Sequence, residues 1–230
     1  IPLLYLVKKK SKNLLAKQIK NKFEYTFIEY KKPGEDLAIA ISDHKYNKDL
    51  NSIIFLENHG IIIAAENLNE IHECLLKILE MLPQQVNYEY SKEHSNIKEL
   101  VVLKGSPYKL IHSEKVQQLT SDNLIFHLKN NWALYPDHVV FLGEKPHIIH
   151  NKKELDLFLK SNFQSKLIFI KNKGVYYKNE LRQTIKVQLN CYFDIVSRQP
   201  KNKLLKSLNF SEIQDLVNWE SEKYRIKNAK

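Results

Sequence analysis

Residues 53–63, Ile53-Ile54-Phe55-Leu56-Glu57-Asn58-His59-Gly60-Ile61-Ile62-Ile63, constrain the fold of this chain more than any other stretch. Two apolar runs flank a short polar turn. Each run is too short and too rich in β-branched residues for a long helix, so both read as buried strands. Gly60 can adopt backbone angles closed to other residues and lets the chain kink between the strands. His59 then stands at a strand end, where an imidazole can reach a ligand. A satisfied, partly buried histidine is the plainer alternative.

The neighbouring segments supply more elements. Residues 12–20 read as a short amphipathic helix carrying Leu14, Leu15 and Ile19. Phe23 to Phe27 alternate like a strand with one covered face, and Asp36 to Ile41 read as a short helix. Asn67 is a good N-cap with Glu70 three residues on. Leu68, Ile71, Leu75, Ile78, Leu79 and Leu82 then form one apolar helix face that Pro83 ends. Residues 84–98 are polar and weakly periodic, which places a boundary between a first domain over 1–90 and a second over 99–230. In the second, helices are expected around Ser113–Leu119, Asp122–Leu128, Lys152–Lys160 and Arg182–Ser197. Strands are expected at Val139–Leu142, Leu167–Ile170 and Val175–Tyr177. Ser211 and Gln214 suggest a capping box opening a terminal helix with a stripe of Ile213, Leu216, Val217 and Tyr224.

The 53–63 stretch has an echo. Leu167-Ile168-Phe169-Ile170-Lys171-Asn172-Lys173-Gly174-Val175-Tyr176-Tyr177 repeats its Ile, Phe, Asn and Gly in register, with Lys173 where His59 stands. The second half is either a diverged copy or simply holds a similar hairpin. Asn-x-Gly is ordinary turn chemistry, which favours the hairpin.

A strand ending near Tyr30, a Pro33-Gly34 turn, a helix beginning Asp36-Leu37-Ala38, an apolar strand, Asn58-His59-Gly60, another strand and a helix capped at Asn67 follow one another in an order that resembles the C-terminal half of the class II aldolase/adducin family. The resemblance covers roughly residues 1–85. It implies an α/β fold: a partial, three-layer α/β/α domain with a mostly antiparallel sheet, followed by a smaller α/β module. It implies that His59 is the third histidine ligand of a zinc ion and that Asn58 beside it contacts substrate and orients the site. In that family zinc acts as a Lewis acid in carbon–carbon cleavage of a sugar phosphate or related hydroxy-carbonyl compound. Some relatives are epimerases, and adducin-like relatives are binding proteins on the same fold. Family members are commonly oligomers, so a homo-oligomer is expected. The family's earlier His-x-His pair and catalytic carboxylate have no counterpart upstream of His59. The expectation is therefore an N-terminally truncated, inactive form with no catalytic residue assigned. Tyr135 to Gly143 and Leu216 to Arg225 resemble the region that follows the aldolase domain in larger bacterial members. No Gly-x-Gly-x-x-Gly occurs, so no dinucleotide site is expected.

Composition narrows the partners. The net charge of +10 comes from 36 basic residues, of which only Arg182, Arg198 and Arg225 are arginine. Arginine is the side chain suited to bidentate phosphate and guanine contacts, and the lysines are spread along the chain, so no nucleic-acid partner is expected. No apolar run approaches the ~20 residues that span a bilayer, so no membrane partner is expected either. Cys74 and Cys191 match no metal spacing, which suits a reduced, cytoplasmic protein. His147 and His150 lie three apart in an extended segment and face opposite ways. Asp137-His138 has the composition of an acid–base pair but no accompanying nucleophile, and reads as a turn before a strand.

Overall fold

The two β-branched runs pair with each other, as their length and composition demand. In the computed structural model, which describes residues 5–19, 25–43, 52–82, 100, 103–161 and 165–228, they are β2 (Ser52–Leu56) and β3 (Gly60–Ala64), joined by the three-residue turn 57–59. β1 (Thr26–Ile28) lies parallel to β2 on its other side, giving a sheet of order β1-β2-β3. A parallel neighbour needs a crossover. Helix α2 (Glu35–Ser42) lies in the connection, after α1 (Ser11–Ile19). α3 (Leu68–Met81) follows β3, and the Asn67 side chain accepts a hydrogen bond from the Glu70 N–H at 3.1 Å. Its buried face is carried by Cys74 and Ile78, while Leu68 at its start is exposed.

The second half builds β4 (Tyr108–Leu110), α4 (Glu114–Gln118), α5 (Ile125–Asn130), α6 (Pro136–Leu142), β5 (His147–Ile149), α7 (Lys152–Lys160), β6 (Leu167–Ile170), β7 (Gly174–Lys178), α8 (Gln183–Val196), α9 (Phe210–Val217) and α10 (Glu220–Asn228). Its sheet order is β4-β7-β6-β5, with β5 parallel to β6 and the other pairs antiparallel. The fold is α/β with two mixed sheets. Among the described residues no helix is long and apolar enough to cross a membrane.

Several elements differ from expectation. Of the strand expected over 23–27, residues 23 and 24 lie outside the described residues and β1 runs from Thr26 to Ile28; the helix expected around 122–128 is α5, Ile125–Asn130. Val139–Leu142 is helical, not a strand. Pro136 occupies the first turn and Gly143, at φ 92, closes the end, the usual asymmetry of helix boundaries. Pro136, His138, Val139, Val140 and Leu142 are all buried, so no polar face reveals the helical period. At the C-terminus the capping box is Asn209 with Glu212, two residues before the expected pair. The expected single helix is two, α9 and α10, meeting at Asn218–Trp219. The boundary expected at 84–98 falls outside the described residues.

The echo between the halves extends well past the hairpin. The order β1-α2-β2-β3-α3 recurs as β5-α7-β6-β7-α8. Ile28 pairs with Leu56, and Ile149 with Ile170, each just before the turn. The turn residues Asn58 and Asn172 both take left-handed angles, φ 53 and 55. Glu57 N–H donates to Ile28 O at 3.0 Å and Lys171 N–H to Ile149 O at 2.8 Å. Asn58 N–H donates to Leu6 O, and Asn172 N–H to Thr120 O, and these acceptors lie equally far before their turns in sequence. Common turn chemistry explains a hairpin. It does not explain a matched crossover helix, parallel strand and upstream acceptor, so the structure favours an internal repeat.

Alternation along the strands sorts the core. Ile54 and Leu56 meet Ile28 and Leu37 of α2 on one face. Ile168 and Ile170 likewise meet Leu155 and Phe158 of α7. The opposite faces, Ile53 and Phe55 from one sheet and Leu167, Phe169, Val175 and Tyr177 from the other, enter one shared cluster with Leu6, Ile78, Trp132, Tyr192 and Phe193. His138 sits within it, fully buried, its ring 4.2 Å from Trp132, 4.9 Å from Tyr192 and 5.4 Å from Tyr135. Neither ring nitrogen has a hydrogen-bond partner among the described residues. Burial pushes its pKa down to about 3, and that of buried His127 down to about 4.

Both histidines are neutral in the folded chain at a pH where the unfolded chain begins to bind protons. Their folded pKa values lie below the unfolded value of about 6.5, so full stability holds above it and drains as pH falls toward 4, by up to roughly 1.4 kcal/mol per pH unit per histidine. Replacing His138 by Phe should flatten the dependence of unfolding free energy on pH between 6.5 and 4. Denaturant titrations across that window check this, and an unchanged slope would refute it.

Candidate functional site around the Asn58-His59-Gly60 turn

The turn between β2 and β3 is closed by His59 N–H donating to Leu56 O at 3.1 Å. Asn58 takes the left-handed conformation inside it, which asparagine tolerates better than most residues, and Gly60 follows at a positive φ of 159. The three side chains point to different fates.

Glu57 is buried. Its carboxylate accepts from Ser11 Oγ at 3.1 Å, from the Tyr30 N–H at 3.3 Å and from Lys206 Nζ at 2.6 Å. A buried carboxylate is tolerable only when paired and hydrogen-bonded in this way. Asn58 is buried too, and both of its amide hydrogens are committed: Nδ2 donates to Leu134 O at 2.8 Å and to Lys206 O at 2.6 Å. Its Oδ1 is buried without a partner among the described residues. The side chain expected to touch substrate thus ties the turn to two distant backbone segments.

His59 is lifted to the surface. Enough protein surrounds its ring that desolvation lowers its pKa, and the nearby Asp137 carboxylate offsets part of that shift. The imidazole is therefore neutral near pH 7, the form that ligates metals. Asp137 is itself held by Arg225 Nη2 at 3.0 Å, and Arg225 also grips the buried Glu222 at 2.8 Å. The fold brings His59 and Asp137 within electrostatic reach of each other, although they were singled out separately in the sequence. It does not bring His138 into play, because that ring is sealed in the core.

Zinc sites take four protein ligands when structural and three when catalytic. Among the described residues no group of three or more His, Cys, Asp or Glu side chains could hold a metal ion. His59 with Asp137 falls short, so the described residues do not fit the zinc that the resemblance implies. His44, a nearby histidine in sequence, lies outside them. Cys74 is buried and Cys191 half-buried, both as free thiols, and burial raises the pKa of each. Among the described residues, surface clefts lie elsewhere. One of about 540 Å³ is lined by Phe27, Ile28, Asp36 and Ile39, and one of about 360 Å³ by His147, Ile149, Glu154 and Phe158. They occupy matching places in the two repeats, beside the parallel strand and its crossover helix. Neither includes His59 among its lining residues.

Sequence reasoning missed Glu57. An acidic residue directly ending a four-residue apolar run was the available signal, since such a position is buried and the charge must find a partner. Nothing in the sequence names Lys206, 149 residues away, as that partner.

No protein-family model, no curated protein and no solved structure matches this chain.

The geometry ranks the turn's side chains by structural cost. Asn58→Gly keeps the left-handed angle but loses the clamp on Leu134 and Lys206, and should cost about 1–3 kcal/mol. Asn58→Ala adds backbone strain at φ 53 and should cost more. His59→Ala should stay within about 0.5 kcal/mol of wild type. Chemical denaturation of the three variants checks the order, and a His59→Ala loss equal to that of Asn58→Gly would overturn it.

Proposed function

We propose that this chain is a class II aldolase/adducin-type protein in which the Asn58-His59-Gly60 turn serves as a structural joint, so that the chain acts as a binding module and not, by itself, as a zinc-dependent lyase. One observation carries this reading. Among the described residues, the polar groups of the turn and its neighbour Asp137 are engaged elsewhere: Glu57 with Lys206, Ser11 and Tyr30; Asn58 Nδ2 with two backbone carbonyls; Asp137 with Arg225. A catalytic group is held by its surroundings but keeps an open position toward substrate. Here the Glu57 carboxylate and the Asn58 Nδ2 group are turned inward. The repeat supports the same view, because Lys173 takes the place of His59 in a turn of matching geometry, and the turn is thus formed without an imidazole.

Lyase chemistry on a sugar phosphate, as the resemblance implies, would need donors beyond the described residues. His59 would then be the one side chain of the turn free to join them.

The purified chain, supplied with zinc and a panel of ketose phosphates, should release no aldehyde product in a coupled assay. Zinc should also leave the melting temperature of wild type and of His59→Ala equally unmoved, because a ligand stabilises a fold only as its concentration exceeds its dissociation constant. Zinc-dependent cleavage that disappears in His59→Ala would overturn the proposal and return the turn to a lyase centre.

A further inference from the structure

The two helices after Asn209 are held to the body by different chemistry. α9 buries Leu216 completely and rests Ile213 and Val217 against the shared core, so apolar packing anchors it. α10 has no such stripe. Glu222 is its one buried side chain, Tyr224 is exposed, and no α10 residue belongs to a hydrophobic cluster among the described residues. The side chains that tie it to the body are charged. Arg225 Nη2 donates to Asp137 Oδ1 at 3.0 Å, and the guanidinium lies 5.4 Å from the centre of the Phe141 ring, both on α6. Arg182, just before α8, donates from Nη1 to Ile226 O at 2.6 Å.

An attachment of this kind is weak and depends on salt. The side chains of Arg225 and Asp137 are 45 % and 42 % exposed, where an ion pair adds little and added salt screens it. The other carboxylate on Arg225, that of Glu222, sits three residues back in α10 itself, 2.8 Å from Nη1, so it leaves with the helix and regains water when it does. Burial of that charge works against docking. The backbone allows the two helices to part. The ladder of α9 ends with Asn218 N–H on Gln214 O and Trp219 N–H on Leu216 O, and that of α10 begins with Glu222 N–H and Lys223 N–H on Trp219 O. The ladders do not overlap, so one can open while the other holds. We propose that α10 is an ionic strap, docked on α6 through Arg225 and released as a unit at high ionic strength while α9 and the core stay folded.

The strap controls a particular surface. Docked, it pairs off Asp137, the carboxylate within electrostatic reach of His59, and sets a guanidinium against Phe141. Released, it uncovers both side chains on α6 and leaves Asp137 without its cation. A nine-residue helix is marginal by itself in water, so α10 loses its own order once it lets go. Ionic strength therefore sets whether this surface of α6 is covered or open, and it does so without disturbing the turn that His59 occupies.

Hydrogen–deuterium exchange of the full chain, followed peptide by peptide by mass spectrometry at low and at high sodium chloride, tests the proposal. Amides of α10 should exchange about fivefold faster at high salt, the change expected from screening one surface ion pair, while peptides from α8, α9 and β6 keep their rates. Arg225→Gln should show the fast rate already at low salt and lose the salt dependence. Asp137→Asn should do the same from the α6 side, although it leaves the Glu220–Lys223 and Glu222–Arg225 pairs inside α10 intact, and it serves alone if the arginine variant fails to fold. The double variant should exchange no faster than either single one. Unchanged α10 rates at high salt would overturn the proposal. So would an Asp137→Asn variant with wild-type rates at low salt, because salt would then be acting on pairs within the helix. Acceleration that spreads to α9 or β6 would overturn it too, because α10 would then not open as a unit of its own.

Discussion

The buried carboxylate of Glu57 is the constraint to which much of the first half answers. Ending a strand inside the protein, it must be neutralised, and it draws three groups to itself: the start of α1 through Ser11, the end of β1 through Tyr30, and the loop before α9 through Lys206. Its neighbour Asn58 repeats the pattern with neutral groups, holding Leu134 and Lys206 by their carbonyls. Two adjacent side chains thus join five segments of chain that hydrophobic contact alone would leave free to slide. Apolar packing is non-directional. Beside the backbone ladders of the sheet, this turn gathers side-chain hydrogen bonds that give the first half's arrangement direction.

That concentration bears on function. A strand–Asn-His-Gly–strand unit presents an imidazole at a strand end, and the resemblance assigns that imidazole to a metal. In this chain the same unit works as a fastening, with its carboxylate and its amide turned inward. The second repeat has a fastening of different chemistry at the equivalent turn, where Lys171 pairs with Asp122 at 2.8 Å and Asn172 donates to Asp122 at 3.3 Å. The sign of the charge at the position after the strand is reversed, and the partner's sign with it. The backbone geometry is retained while the electrostatics are rebuilt.

Much of the architecture was legible from the sequence, for identifiable reasons. β2, β3, β6 and β7 are apolar runs bounded by Asn-x-Gly turns, and nothing competes with that signal. α3 announces itself by an asparagine N-cap with a glutamate three residues on, and the structure shows the same cap, Asn151 with Glu154, at the start of α7. α6 did not, because burial on nearly every side erases the polar stripe that distinguishes a helix from a strand. The C-terminal capping box lies two residues earlier than expected because Ser211 and Gln214 offer the same chemistry as Asn209 and Glu212, which form it. At the site, His59 and Asn58 were visible as residue types. Their partners were not, since Leu134 and Lys206 act through carbonyls that any residue would supply.

The two tryptophans end in contrasting surroundings. Trp132 is buried, donates its indole N–H to Gly143 O at 2.8 Å and stands edge-on to His138, Phe169 and Tyr192 in the cluster the two halves share. Trp219 is half-buried where α9 gives way to α10, with its ring against Gly34 and the Lys32 ammonium 5.0 Å from it. A Cβ added at Gly34 would lie 3.0 Å from that ring. The chain therefore carries two built-in fluorophores that report on different joints. A blue-shifted emission from Trp132 follows the integrity of the common core, and the solvent-sensitive emission of Trp219 follows the grip of the last two helices on the Pro33-Gly34 loop. Loosening of the C-terminal helices and loss of the core can in this way be watched as separate optical events in a single unmodified molecule.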